Sequence, residues 1–515
     1  MDQMEPCSTL LLTGGLVLDG TGAPGRYQDV LIRDGRIATA PEGGVRRIDV
    51  TGRVVCPGFV DIHTHSDLTL LSDPRGLSKV HQGVTTEVVG NCGLGVTAPE
   101  QRDLRDAVSY LDLDPDVVWA WHDVAGYLAA VESARPGLNV AALVGHLALH
   151  ATVCGFADHP ATAAQLDRVC GLLRDAFDQG AVGLSTGLVY APLPYVHDDE
   201  LVALATVTAR AGKIFTWHVR SYDDDLVASV AQAVRVARET GCRTQISHLA
   251  AVGRRNWGAV GKALDLIDAA GTDIGVDIYP YLHGNAPLAQ LLPAWAQEGG
   301  PSAWVPELRD PAIRAEIREA WLDRPTSWAE IDISRGPFAG RSIQDVADER
   351  GTDGDEVALD LLAGHGTAVM MTAGGRSEDD LRTVLAHPAS VVASDGQALD
   401  PHGATGTGVP HPRSYGCFPR YLTRYGGADL AGAIRRCTSA PAARVGLTDL
   451  GVLRPGAPAD VVVFDPARLA DRATYTEPHR FADGIDLVLV NGVVTVERGR
   501  HTGARAGTTR RGAGC

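Results

Sequence analysis

The chain has 515 residues, 45% of them hydrophobic and 21% charged, a balance that excludes a disordered or fibrous protein. With 46 Lys+Arg against 63 Asp+Glu the formal charge is −17, so neither nucleic acid nor an anionic membrane surface, which both need a basic footprint, is expected as a partner. No apolar run reaches the ~20 residues of a membrane span, the start MDQMEPCSTL lacks the form of a signal peptide, and the nine Cys include no C-x-x-C pair, so a cytoplasmic chain without a disulfide framework is expected.

Residues 1–58 read as short β segments broken by Gly turns: LLTGGLVLDG, DVLIRDGRIA and RIDVTGRVVCPG. The C-terminal part repeats the style in GVLRPGAPADVVVFDP and IDLVLVNGVVTVERGR. One small β-sandwich built from both chain ends is therefore expected, with residues 431–515 supplying a helix, the remaining strands and a loose Gly/Arg/Thr-rich tail from about Gly503.

Between them, over residues 59–430, the pattern alternates. GFVDIHTH, GVTTEVVGN, LNVAALVGH, AVGLSTGL, KIFTWHVR, CRTQISHL, TDIGVDIYPY and ASVVASDG are apolar, β-branched runs. Most are separated by helical-period segments such as AQLDRVCGLLRDAFDQG and DLVASVAQAVRVARETG. Continuous apolar strands joined by crossover helices imply a parallel sheet covered on both faces, and eight of them suit a (β/α)8 TIM-type barrel. TAVMMTAGG is a ninth strand candidate. From about 284 to 350 the alternation fails in Trp- and Pro-rich sequence too long for a structureless loop, so an inserted subdomain on the catalytic face is expected.

Polar residues of one kind end these strands. They are His63 and His65 on the first, Cys92 after the second, His218 on the fifth, His248 on the sixth and Asp395 on the last. Spacing of i, i+2 puts His63 and His65 on one face. Imidazole, thiolate and carboxylate together suit Zn2+. Alternative roles exist: Cys92 as a small buried hydrophobe and Asp395 as a helix N-cap. His146, ending the third run, is a possible polar contact of the pocket, whereas His81, His150 and His283 are read as ordinary.

PGFVDIHTHSD, GVTTEVVGNCG, GAVGLSTGLVY, HVRS, QISHL, DIYPY, ASDG and GVLRPGAPADVVVFD follow one another in an order that resembles the amidohydrolase superfamily and, within it, the D-aminoacylase (N-acyl-D-amino-acid deacylase) branch. The resemblance implies a tight zinc held by Cys92, His218 and His248, and a second site, weaker or vacant, involving His63, His65 and Asp395. The fourth strand, AVGLSTGL, has no Lys, so the carboxylated Lys that bridges two metals in many relatives is absent. Cys92 is its expected substitute, since thiolate supplies the missing negative charge.

The implied activity is zinc-dependent hydrolysis of an amide in a small-molecule substrate. Asp395 would take a proton from the attacking water and pass it to the leaving amine. Tyr190 is a candidate oxyanion donor, with a packed loop aromatic as its alternative. Arg220, Tyr281 and Arg413 are candidate contacts for a substrate carboxylate, against ordinary ion pairs. Two departures from the family pattern weaken the transfer of substrate identity: Ala250 stands where a Lys is common, and Tyr222 where a Glu is common. A cyclic amide, ureide or natural-product amide is the alternative substrate, and a non-catalytic barrel scaffold the alternative class.

Overall fold

The computed structural model describes residues 9–40, 44–97 and 102–512; the N-terminal stretch 1–8, on which most of the signal-peptide reading rests, lies outside them. All eight predicted runs are strands of one eight-stranded parallel sheet: Phe59–Asp61, Val84–Val89, Asn139–Gly145, Gly183–Gly187, Ile214–His218, Arg243–Ile246, Ile274–Ile278 and Ser390–Val392. They neighbour one another in chain order. The first and last strands close the ring just beyond their ends: Thr64 bridges Gly396 in parallel, Asp395 N–H donates to the His63 carbonyl (2.8 Å) and His65 N–H to the Gly396 carbonyl (2.9 Å). Closure therefore occurs at the candidate ligands themselves.

The strands have this form because their residues are buried on both faces. Val60, Val88, Leu143, Ile214 and Val391, from five strands, form one cluster that Ala442, Val445 and Leu450 complete from the segment after the barrel. Alternate residues, such as Val140, Phe215 and Val276, pack outward among the crossover helices. Those helices carry local signals of their own. Thr162 and Gln165 make a capping box at the start of Ala163–Asp178, and Ser377 caps Glu378–Ala386.

Both termini build the flanking sheets. A seven-stranded sheet runs from His501 through Val493–Glu497, Ile485–Val490 and Val461–Phe464 to Val54–Pro57, Leu16–Val17 and Arg26–Tyr27. A four-stranded sheet of N-terminal residues packs on it, with Leu12, Ile32, Val55, Val461 and Leu489 in a shared core.

Three expectations are revised. The ninth candidate strand, Met370–Ala373, belongs to a three-stranded antiparallel sheet with Gly284–Pro287 and Ile331–Arg335. Gly284 faces Ala373 in register, so the inserted unit runs to Ala373, beyond 350, around its own core of Trp304, Trp321, Trp328, Ile331 and Leu362. The tail is docked, not loose. Val140 N–H donates to the Thr508 carbonyl (3.0 Å), Arg510 N–H to the Val140 carbonyl (2.7 Å) and Gly512 N–H to the Gly180 carbonyl (3.0 Å).

Candidate metal centre and substrate cavity

The barrel's carboxyl end collects the predicted ligands. The ligand atoms of His63, Cys92, His248 and Asp395 all lie within 4.8 Å of one another, and all four residues are buried. Cys92 Sγ is 3.2 Å from His63 Nε2 and 3.5 Å from His248 Nε2. Asp395 Oδ1 is 3.0 Å from His65 Nε2 and 3.4 Å from His63 Nε2. The ring of His218 stands 4.6 Å from that of His248. The backbone is turned to achieve this: φ is +54° at Cys92, +36° at His248 and +52° at Asp395, sparsely populated values for residues with a Cβ, of the kind that cluster at functional sites.

The electrostatics suit a cation. Burial opposes ionisation of Cys92, but the imidazoles of His63, His248 and His218 override it and hold the thiol well below its usual range. Burial likewise opposes ionisation of Asp395, and Arg413 (2.8 Å), with His63 and His65, more than offsets it. The anions in turn raise the two first-strand histidines despite burial, His65 to about 9. His218 goes the other way. Burial lowers it to about 4, so its ring is neutral, and both ring nitrogens are buried without a partner. A neutral imidazole with one free nitrogen lone pair, beside a thiolate and a carboxylate, is the donor set zinc takes; these residues fit the ion.

Asp277, within the motif DIYPY, organises the centre from behind. Its Oδ1 accepts from His63 Nδ1 (3.0 Å) and from the backbone N–H of His248 (2.9 Å). Such a carboxylate fixes the tautomer and presents Nε2 to a metal. Sequence reasoning marked the motif and missed this residue; its signal was an Asp in an otherwise apolar strand. Tyr222 was noted only as a departure. Its ring lies 4.9 Å from both His218 and His248, and its hydroxyl donates to the Ser247 carbonyl (3.1 Å).

A cavity of about 300 Å³ opens over the cluster. Tyr190 lines it, its ring 5.1 Å from that of His218, and burial pushes its hydroxyl well above the usual range, so it is a donor. The inserted unit supplies an apolar wall that includes Pro287, Leu291, Met370 and Met371. Of the predicted carboxylate contacts, Arg413 lines the cavity but is paired with Asp395. Arg220 lines it with its donors directed to the carbonyls of Pro194 (2.9 Å) and Val196 (2.5 Å) and to Gln232 (3.0 Å). Tyr281 does not line it: its hydroxyl donates to Asp471 (2.9 Å) on the far side. The strand ends at Ile278 and the chain turns, Tyr281 N–H bonding the Tyr279 carbonyl, so alternation no longer predicts direction, and Tyr279 faces the cavity instead. His146 also turns away, opening the helix His146–Cys154 and bonding Glu200 (2.8 Å) and Thr186 (3.0 Å).

The family comparison agrees with this architecture. The model of the amidohydrolase family matches residues 46–496. An N-acyl-D-glutamate deacylase of Alcaligenes xylosoxydans xylosoxydans is 36% identical over 501 residues, covering 95% of this chain and 94% of the relative. A D-aminoacylase of the same organism is 34% identical over 508 residues, 97% and 96% of the two chains. The crystal structure of N-acyl-D-glutamate deacylase from Bordetella bronchiseptica, complexed with zinc and a phosphonate inhibitor, superposes with a TM-score of 0.83 at 35% identity, over 98% of this chain and 99% of that one.

The chain belongs to the amidohydrolase family. It is an enzyme, a metal-dependent amidohydrolase built on the (β/α)8 barrel. Among the described residues no helix is long and apolar enough to cross a membrane.

Proposed function

We propose that the protein hydrolyses N-acyl-D-amino acids, or a closely related N-acyl substrate, to a carboxylate and a free amino acid. The observation that carries this reading is that five of the six candidate ligands, His65, Cys92, His218, His248 and Asp395, line one cavity, with the sixth, His63, 3.2 Å from the Cys92 sulfur. The near-full-length relatives are deacylases of such substrates. Ring opening and a non-catalytic scaffold are not favoured, since neither accounts for both.

Cys92, His218 and His248 would hold the tight zinc; His63, His65 and Asp395 would form the second, weaker site. When bound, zinc supplies Lewis acidity toward the amide carbonyl and the attacking water. The remaining steps belong to the chain. Asp395, kept ionised by Arg413, accepts a proton from water and delivers it to the leaving nitrogen. Tyr190 donates a hydrogen bond to the carbonyl oxygen as its charge develops. The apolar wall from the inserted unit excludes water and receives the acyl group or side chain.

The test is release of free amine from N-acetyl-D-amino acids by zinc-loaded protein, with the L-enantiomers as controls. Turnover of the D series alone supports the reading. Inertness toward all of them, with activity on a ring amide, refutes it.

A further inference from the structure

Outside the barrel mouth, one other group of described residues brings metal-ligand atoms together: His146, His150 and Glu200. All three are buried, and one ligand atom from each lies within 4.8 Å of the others. None of them belongs to the centre at Cys92. The two histidines sit at i, i+4 on the helix His146–Cys154, which sets their rings along one face. Glu200, in the first turn of Asp198–Arg210, meets that face. Cys154, half-buried one turn further along the row, brings it toward the protein surface.

The donor set is specific. Glu200 Oε1 accepts from His146 Nε2 and from His150 Nδ1, both at 2.8 Å, while Oε2 has no hydrogen-bond partner among the described residues. Two imidazoles and a carboxylate are three ligands that zinc takes, with a fourth position left for water or for Oε2; magnesium and calcium prefer oxygen alone. At zinc–ligand lengths of about 2.0–2.2 Å, tetrahedral donors stand about 3.3 Å apart, so each 2.8 Å contact has to open by only about 0.5 Å. Each neutral ring keeps its proton and moves it to the other nitrogen. On His146 that is Nδ1, and Thr186 Oγ1 stands 3.0 Å from it to accept, the kind of second partner that orients a ligating imidazole.

We propose that His146 Nε2, His150 Nδ1 and Glu200 bind a zinc ion of their own, a structural site apart from the centre in the cavity. Bound there, the ion joins the helices His146–Cys154 and Asp198–Arg210 and, through Thr186, the fourth barrel strand. It also steadies the loop of Cys92. Leu147 N–H donates to the Gly93 carbonyl (3.1 Å), and Gly93 N–H donates to Ser185 Oγ (2.9 Å). The residue after Cys92 thus hangs between the helix of His146 and the strand of Thr186.

The experiment locates and counts zinc without using turnover. Crystals of the wild-type protein equilibrated with zinc, measured at the zinc absorption edge, should show an anomalous peak between His146, His150 and Glu200 as well as one at Cys92. Zinc at Cys92 with nothing at His150 would overturn the inference. In solution, Cys92→Ala, in which the tight site of the cavity is broken, should still bind zinc and melt at a higher temperature as zinc is added, because the ion binds only the folded chain. Cys92→Ala/His150→Gln should bind about one zinc fewer per chain and show a smaller rise, with circular dichroism confirming that both variants are folded. A crystal peak with equal zinc content and equal melting shifts in the two variants would mean an adventitious ion only, and would also overturn it. If the double variant does not fold, the wild-type crystal measurement decides. None of these outcomes touches the deacylase reading, which stands or falls on turnover.

Discussion

Cys92 carries the most chemistry per atom. Three imidazoles surround a sulfur that would otherwise be an inert buried thiol, and the Gly residues on either side let the chain turn it inward; Gly90 and Gly93 both have positive φ. We predict that Cys92→Ala, His218→Ala and His248→Ala each lose the tight metal and all activity, measured by metal analysis after dialysis. Full zinc content in Cys92→Ala would remove the sulfur from the site. Asp395→Asn preserves shape but cannot accept a proton, so turnover should fall by ~10²–10⁴-fold with zinc largely retained. Near-normal turnover would move the shuttle elsewhere. These residues were legible because each ends an apolar run. Asp277 and Tyr279 were not: their roles depend on which neighbours the strand Ile274–Ile278 meets and on which way the chain turns after it.

Among the elements, the helices His146–Cys154 and Asp198–Arg210 are joined by a buried carboxylate. Glu200 Oε1 accepts from His146 Nε2 and His150 Nδ1, both at 2.8 Å. Burial alone would raise its pKa, but the two histidines lower it to about 2. A carboxyl depressed in the folded state stabilises the fold above its unfolded value of ~4.3, and that contribution is lost as pH falls toward 2. Burial also lowers His146, which must gain a proton on unfolding in acid, so both groups act in the same direction. Glu200→Gln should therefore lower stability at neutral pH by a few kcal/mol and flatten its fall between about pH 4.5 and 2, read from denaturant midpoints against pH. An unchanged acid limb would exclude this coupling. His146 and His150 share a helix face at i, i+4, which the sequence displays; that the face meets Glu200, 50 residues on, it does not.

For the whole molecule, the chain ends matter more than their composition suggests. Residues 507–510 pass the start of the third barrel strand, and the Asn139 side chain there bonds Asp460 (2.9 Å), Asn491 (2.8 Å) and Thr508 (3.2 Å). Barrel, sandwich and tail are thus fastened at one buried amide. Deleting residues 504–515 should lower the melting temperature while leaving zinc content intact, since the metal ligands sit at the other end of the strands; an unaltered melting temperature would show the tail to be dispensable. Asn139→Ala, which strips one partner from buried Asp460, should cost about 1–3 kcal/mol, measured by denaturant unfolding.

The sequence by itself determined the eight strands, the two-ended sandwich and the six candidate ligands. Each of those is written locally, as an apolar run with a polar terminus, and a barrel brings strand ends together whatever joins them. Only the tertiary structure decided that Met370–Ala373 pairs with Gly284–Pro287, that the Gly/Arg-rich tail docks, and that Tyr279 and not Tyr281 lines the cavity. Those outcomes depend on partners distant in sequence. Antiparallel pairing is satisfied by whichever edge is free, and beyond a strand end the turn, not alternation, sets which side chain faces the cavity.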